Sequence, residues 1–197
     1  MSSRSSISKH TRSILPDPIQ REAYWRGARE LLPAAPGVFA WGLVTGVAMV
    51  KSGLSIEYAL IMTFLAYAGS AQLAALPLLV TVAPLWVVAL TAIAVNLRFV
   101  VYSAAMLPHL RHLPPSTRVG LGYLIGDIGF AKFSALLERE PNYPHRVAYF
   151  AGGASCNWVL WQASSVIGIL AATTIPVEWG LALAGTLVMI PLLVPFC

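Results

Sequence analysis

Between Tyr67 and Tyr102 the chain places polar groups and helix breakers inside sequence apolar enough to sit in a lipid bilayer. The stretch opens with Tyr67-Ala68-Gly69-Ser70-Ala71-Gln72, continues through Pro77 and Pro84, and ends in Asn96-Leu97-Arg98-Phe99-Val100-Val101-Tyr102. A bilayer core holds no water to receive stray polar groups, so each costs free energy unless protein or a wet cavity takes it. Arg98 is the sharpest case, because a charge at the centre of a spanning helix costs about 2.5–3.5 kcal/mol on insertion scales. Two readings are open: a structural arginine that snorkels or pairs, and a polar site on a transport path. The second is the default for an ionisable residue inside a membrane.

Composition supports a membrane setting for the whole chain. The hydrophobic fraction is 57%, charged residues make up 11%, and mean hydropathy is +0.71, whereas soluble domains carry about 25% charged residues. The charges are also segregated: Arg4, Lys9, Arg12, Arg21, Arg26 and Arg29 all precede the first apolar run. These features predict an all-α, polytopic transmembrane helical bundle. The net charge of +5 then describes topology. No nucleic-acid partner is expected, since no basic residues alternate with aromatics on an exposed face.

Residues 1–30 read as a polar, basic N-terminal tail, with residues 24–30 as an amphipathic lead-in. Residues 31–197 read as one transmembrane domain. A spanning helix needs roughly 20 apolar residues, and six segments qualify as expected spans: 34–50, 58–80, 84–107, 119–137, 147–172 and 177–196. Broken or kinked helices are expected near Pro77 and Pro84, because a proline lacks the N–H of the helical ladder and crowds the preceding turn. With six alternating spans and the N-terminus in the cytoplasm, the inner segments hold eight Lys or Arg and the outer ones hold Lys51, Arg111 and Arg118. That imbalance predicts a cytoplasmic N-terminus. A weak internal echo links residues 46–60 with 168–182.

Several residues carry possible chemistry. Gly42 with Gly46 and Gly122 with Gly126 form small-xxx-small patterns that let helix backbones approach closely. Gln72 lies beside the Leu73 carbonyl that Pro77 leaves free, either a simple kink or a place to hold a small zwitterion. Arg98 and Tyr102 share a helix face, with Asn96 pointing elsewhere. Asp127 is the one acid at membrane depth. It reads either as the counter-ion of Arg98 or as a group that exchanges protons. Asn157 and Gln162, with Trp158, Trp161 and nearby serines, put enough polar atoms into one half-helix to predict a cavity-facing side.

Catalysis is not expected. A serine protease would need a His or Lys base at membrane depth near a serine, and an aspartyl protease needs two carboxylates. Cys156 and Cys197 lack metal-ligand spacing. His109 and His112 lie among Pro108, Pro114 and Pro115, which oppose a helical ligand pair, so no metal or cofactor is expected.

At these residues the sequence resembles the AzlC family of branched-chain amino acid permeases, over about residues 30–170. Tyr67-Ala68-Gly69-Ser70-Ala71-Gln72 is similar to the family's Phe-Ala-Gly-Ala-Ser/Ala-Gln segment. Asn96-Leu97-Arg98 is similar to its Asn-Leu-Arg-His segment, and Asn157-Trp158 with Trp161-Gln162 matches a further motif. Two departures remove titratable groups: Phe99 stands where a His is common, and Ile128 where a Glu usually follows Asp127. The resemblance implies a permease of the cytoplasmic membrane that exports valine-like amino acids and is completed by a small AzlD-type partner. It also implies a final helix beyond the point where this chain stops. The implied substrate-binding residues are Gln72, Asn96, Arg98, Tyr102, Asp127, Asn157 and Gln162. The alternative is a membrane scaffold or assembly subunit with no solute path.

Overall fold

The computed structural model describes residues 17–174. The tail up to residue 16, the sixth apolar segment and the later part of the 168–182 echo lie outside these residues. Among the described residues there are eight α-helices and no strand. Asp17 opens α1 (Pro18–Leu31) by accepting from the Ile19 N–H at 3.2 Å, and Pro18 sits where its missing N–H costs nothing. A 3-10 turn, Leu32–Ala34, leads into α2 (Ala35–Lys51). Gly53, at φ 92°, supplies the left-handed turn into α3 (Ile56–Leu65). Three non-helical residues separate α3 from α4 (Gly69–Val80), and Pro84 precedes α5 (Leu85–Leu110). Then come α6 (Pro115–Tyr123), α7 (Asp127–Arg139) and α8 (Arg146–Ala171).

The frame of the molecule is a parallel pair: α1 and α2 run alongside α8. Four glycines set how closely these backbones approach. A Cβ on Gly27 would overlap the Tyr149 carbonyl, and one on Gly152 would overlap the Tyr24 carbonyl. Further along, a Cβ on Gly46 would overlap the Ser165 carbonyl, and one on Gly168 the Leu43 carbonyl. Each crossing is reciprocal, with the glycine of either helix resting on the residue three positions before the other's glycine. Gly42 leaves room for the Ser164 side chain, so the first small-xxx-small pattern is a packing interface, as expected. The second is not. Gly120 and Gly122 face open space, because the helix breaks before Gly126 and the pattern's two glycines no longer share a face.

An ionic cluster ties the near end of this frame. Glu30 accepts from Arg26 at 3.0 Å, from Arg139 at 3.1 Å and from the Tyr149 hydroxyl at 2.7 Å. Arg26 also pairs with Glu140 and lies over the Tyr143 ring, 5.1 Å from its centroid. Those hydrogen bonds from Arg26 hold the Glu140 carboxyl below the usual carboxylate range.

Two hairpins enter the frame from opposite ends. At the far end, Ala48 and Met49 of α2 and Ile169 of α8 form one apolar cluster with Ala59 of α3 and Leu76 of α4. The tip of that hairpin, residues 66–68, instead lies beside Asn157 and Trp161, halfway along α8. So α3 descends to mid-level and α4 climbs back. At the near end, Met106 and Leu110 of α5 cluster with Phe133 and Leu136 of α7 and with Tyr149 and Phe150 of α8. The α6–α7 pair is bent by 115°, and its tip, residues 124–126, reaches the same mid-level beside Asn157. Between the hairpins α5 crosses the whole height, antiparallel to α8.

The helical membrane bundle expected from composition is observed. The combined run Pro18–Lys51 and α5 are long and apolar enough to cross a membrane, and the bent α6–α7 pair makes a third if it is taken as one span. The packing contacts resolve that pair as folded back. Segments 58–80 and 119–137, expected to be crossings, are therefore re-entrant hairpins. The first break falls at Tyr67, and α4 runs on through Pro77 without ending.

Candidate functional site

The site is where the two hairpin tips meet. Breaks in helices at membrane depth leave backbone groups unpaired, and these are tolerated only where protein or a cavity receives them. Here side chains from neighbouring helices supply that cover at the end of α3. The Gln72 amide donates to the Met62 carbonyl at 3.1 Å, and the Gln162 amide donates to the Thr63 carbonyl at 3.0 Å. The Tyr123 hydroxyl donates to the Phe64 carbonyl and accepts from the Trp158 indole at 3.2 Å. Thr63 itself donates to Ser165 at 2.9 Å. The Met62, Thr63 and Phe64 carbonyls near the end of α3 are thus all engaged by side chains.

Each tip also carries a glycine that admits a side chain from α8. At the start of α4, Gly69 leaves the space that the benzo edge of Trp161 fills. Before α7, the position a Cβ on Gly126 would take lies 3.1 Å from the Asn157 amide nitrogen and 3.6 Å from the Tyr67 hydroxyl. Asn157 donates to that hydroxyl. The Tyr67 ring lies 6.1 Å from Tyr123 and 6.3 Å from Trp161, which completes an aromatic wall. Asn157 and Trp161 stand one helical turn apart and are 7% and 8% exposed, yet Asn157 Oδ1 and Trp161 Nε1 have no partner among the described residues.

From the other side α5 contributes a charge. Arg98 Nη2 lies 3.3 Å from Asp127 Oδ2, and the same nitrogen donates to the Ser70 hydroxyl in the first turn of α4. Tyr102 donates to Asp127 at 3.1 Å and stacks on Phe130 with centroids 4.2 Å apart. A single guanidinium therefore bridges the first turns of α4 and α7.

Of the residues expected to form a site, Arg98, Tyr102 and Asp127 come together in one network, and Asn157 lies at the tips. Gln72 and Gln162 are close by, with their amide N–H groups committed to α3. Asn96 stands outside the network, its Oδ1 buried without a partner among the described residues. Residue patterning did not single out Ser70, Tyr67, Thr63 or Gly69 individually. The signal for all but Thr63 is the run Tyr67–Gln72, whose small and polar residues inside an apolar segment mark a break.

A family model described as "AzlC protein" matches residues 33–175. The chain is similar to "Inner membrane protein YgaZ" of Escherichia coli (strain K12), at 25% identity over 158 residues. That match covers 79% of this chain and 64% of the relative, so the chain spans less than two thirds of the curated relative's length. No solved structure matches it. The matched region holds both hairpins, α5 and the whole of α2 and α8: this membrane protein belongs to the AzlC family.

Proposed function

We propose that this chain is a permease that exports branched-chain, hydrophobic amino acids such as valine across the cytoplasmic membrane. One observation carries the reading: two re-entrant tips meet at the middle of α8 with buried, unpartnered polar atoms between them. Such atoms are costly at membrane depth, and broken helices that meet at mid-membrane are how transporters present backbone and side-chain polar groups to a solute. The aromatic wall of Tyr67, Tyr123 and Trp161 supplies apolar surface for an aliphatic side chain.

Charge counted on the folded chain supports a cytoplasmic N-terminus. The near end carries Arg21, Arg26, Arg29, Arg111, Arg118, Arg139 and Arg146, whereas the far end carries Lys51. The re-entrant hairpins move Arg111 and Arg118 to the near side, which strengthens the case for a cytoplasmic N-terminus. A small AzlD-type partner is the proposed cover for the side left exposed among the described residues. Along α5, Trp86, Leu90, Ile93, Leu97 and Val100 are exposed, and the Asp127 side chain is 45% exposed beside them. An acid at membrane depth needs protein or water over it.

Valine retention in cells loaded with a valine dipeptide tests the function. Expression of this chain together with its partner should lower intracellular valine. Unchanged valine at normal membrane levels of both proteins would overturn the export reading.

A further inference from the structure

Arg146, the first residue of α8, meets the last turn of α5 through His109: its Nη1 lies 3.2 Å from His109 Nδ1. A guanidinium offers only donors and stays charged, so Nδ1 must be the acceptor. That geometry fixes the ring as neutral, with its proton on Nε2. A second proton, on Nδ1, would set two cations against each other. Among the described residues no carboxylate lies within ion-pairing distance of Arg146, and Arg146 is the charged group that acts on the His109 ring. From α7 the ring meets the Phe133 side chain edge-on, 5.6 Å between centroids. The ionisable residues flanking these positions, Arg111, His112, Lys132 and His145, are all bases, and α5 and α6 contain no acid. At the same end Glu30 and Glu140 are engaged by Arg26 and Arg139, and Glu138 of α7 is exposed.

We propose that this contact is a proton-operated latch: neutral His109 holds the end of α5 to the start of α8, and a proton taken from water onto Nδ1 releases it. The inference rests on the fold and goes beyond the export reading. His109 stands eleven residues after Arg98 on α5, about three helical turns. Arg98 bridges the first turns of α4 and α7, so a latch at the end of α5 bears on the helix that ties the two tips together. Met106 and Leu110, on either side of His109, stay packed with Phe133, Tyr149 and Phe150. That packing makes release a local adjustment of α5 rather than unfolding. With the N-terminus in the cytoplasm, as proposed above, the latch responds to cytoplasmic acid.

Thermal unfolding of the detergent-purified full chain at pH 8 and pH 5, which bracket the ordinary histidine range, tests the latch. The contact contributes while the ring is neutral and is lost as pH falls through its titration. The background carries His10→Gln, His112→Gln and His145→Gln, so that His109 alone remains. Its unfolding midpoint should fall between pH 8 and pH 5 by about 2–4 °C more than that of the same protein with His109→Gln, the scale of one hydrogen bond to a charged group. Gln offers Arg146 a carbonyl acceptor at either pH. His109→Lys carries a permanent cation and should lower the midpoint at pH 8 to the same extent. An equal acid fall with His109 and with His109→Gln would overturn the latch, as would His109→Lys as stable at pH 8 as the background. Imidazole nitrogen NMR of the background protein decides the matter even where neither His109 variant folds. Nδ1 should be unprotonated at pH 8 and gain its proton on acidification, and a protonated Nδ1 at pH 8 would overturn the assignment.

Discussion

Arg98 lies 3.3 Å from Asp127, and the pair joins α5 to the first turn of α7. Both side chains are a third to a half exposed. Breaking the pair should therefore cost less than the about 3–5 kcal/mol typical of a buried pair left half-charged.

Substitution of that pair separates positioning from charge. Arg98→Lys keeps a cation but loses the planar fork that reaches Ser70 and Asp127 together. Membrane levels should stay close to wild type while export falls about tenfold or more, equivalent to at least ~1.4 kcal/mol at the transport step. The charge-swapped double variant should recover expression without recovering export. Full export by Arg98→Ala at normal membrane levels would remove Arg98 from the site.

The glycine crossings predict a sharp contrast in stability. At Gly46 and Gly168 a methyl group meets backbone rather than a movable side chain. Gly46→Ala or Gly168→Ala should destabilise by about 1–3 kcal/mol, as overpacking does. Gly120→Ala and Gly122→Ala, which face open space, should change stability by less than about 0.5 kcal/mol. Thermal unfolding of the detergent-purified variants reads the difference directly.

Gln162 tests whether a polar residue beside the tips serves the fold or the solute. Gln162→Leu leaves the Thr63 carbonyl without its partner, at a cost of about 1–3 kcal/mol. A lowered unfolding midpoint with unchanged valine affinity in the folded fraction is expected. The reverse result, normal stability with lost affinity, would return Gln162 to the substrate.

Cysteine accessibility checks the hairpins. In a background with Cys156 and Cys197 replaced, cysteines at positions 54 and 82 should label from outside the cell. Those at positions 112 and 142 should label only after permeabilisation. Labelling of position 112 from outside would restore six alternating crossings.

The ionic cluster at the near end carries a pH signature. The Glu140 carboxyl is held low by Arg26, so its contribution is present above the ordinary carboxylate range and is lost as pH falls through the depressed value. Stability should be flat between about pH 5 and 8 with respect to this group and should fall only in stronger acid. Glu140→Gln should lower the unfolding midpoint slightly at neutral pH and flatten that acid limb. An acid limb identical to wild type would exclude Glu140 as its origin.

The bundle was legible because hydropathy and charge segregation are local properties, read directly from segments such as 84–107. The site was legible in part for the same reason: Arg98, Asp127 and Asn157 stand out as polar residues in apolar surroundings. The hairpins were not. Segment 58–80 has the length of a crossing, and what shapes its tip is distant in sequence: Gly69 admits Trp161, and Gln162 covers the Thr63 carbonyl. The carbonyl contacts of Gln72 and Gln162 were hidden likewise, since an amide that covers a backbone carbonyl and one that binds solute look the same in a list of polar residues.

The parallel pairing of α1 and α2 with α8 has a consequence for biosynthesis. Gly27 and Gly46 await partners about 120 residues downstream. At ribosomal speeds of roughly 5–20 residues per second, that interval is on the order of 6–24 s. Both hairpins and α5 are made within it, before the helix that closes the frame exists. The first helix must therefore wait in the insertion machinery or in lipid with its glycine notches empty. The arrival of α8 is the event that locks the hairpin tips against each other.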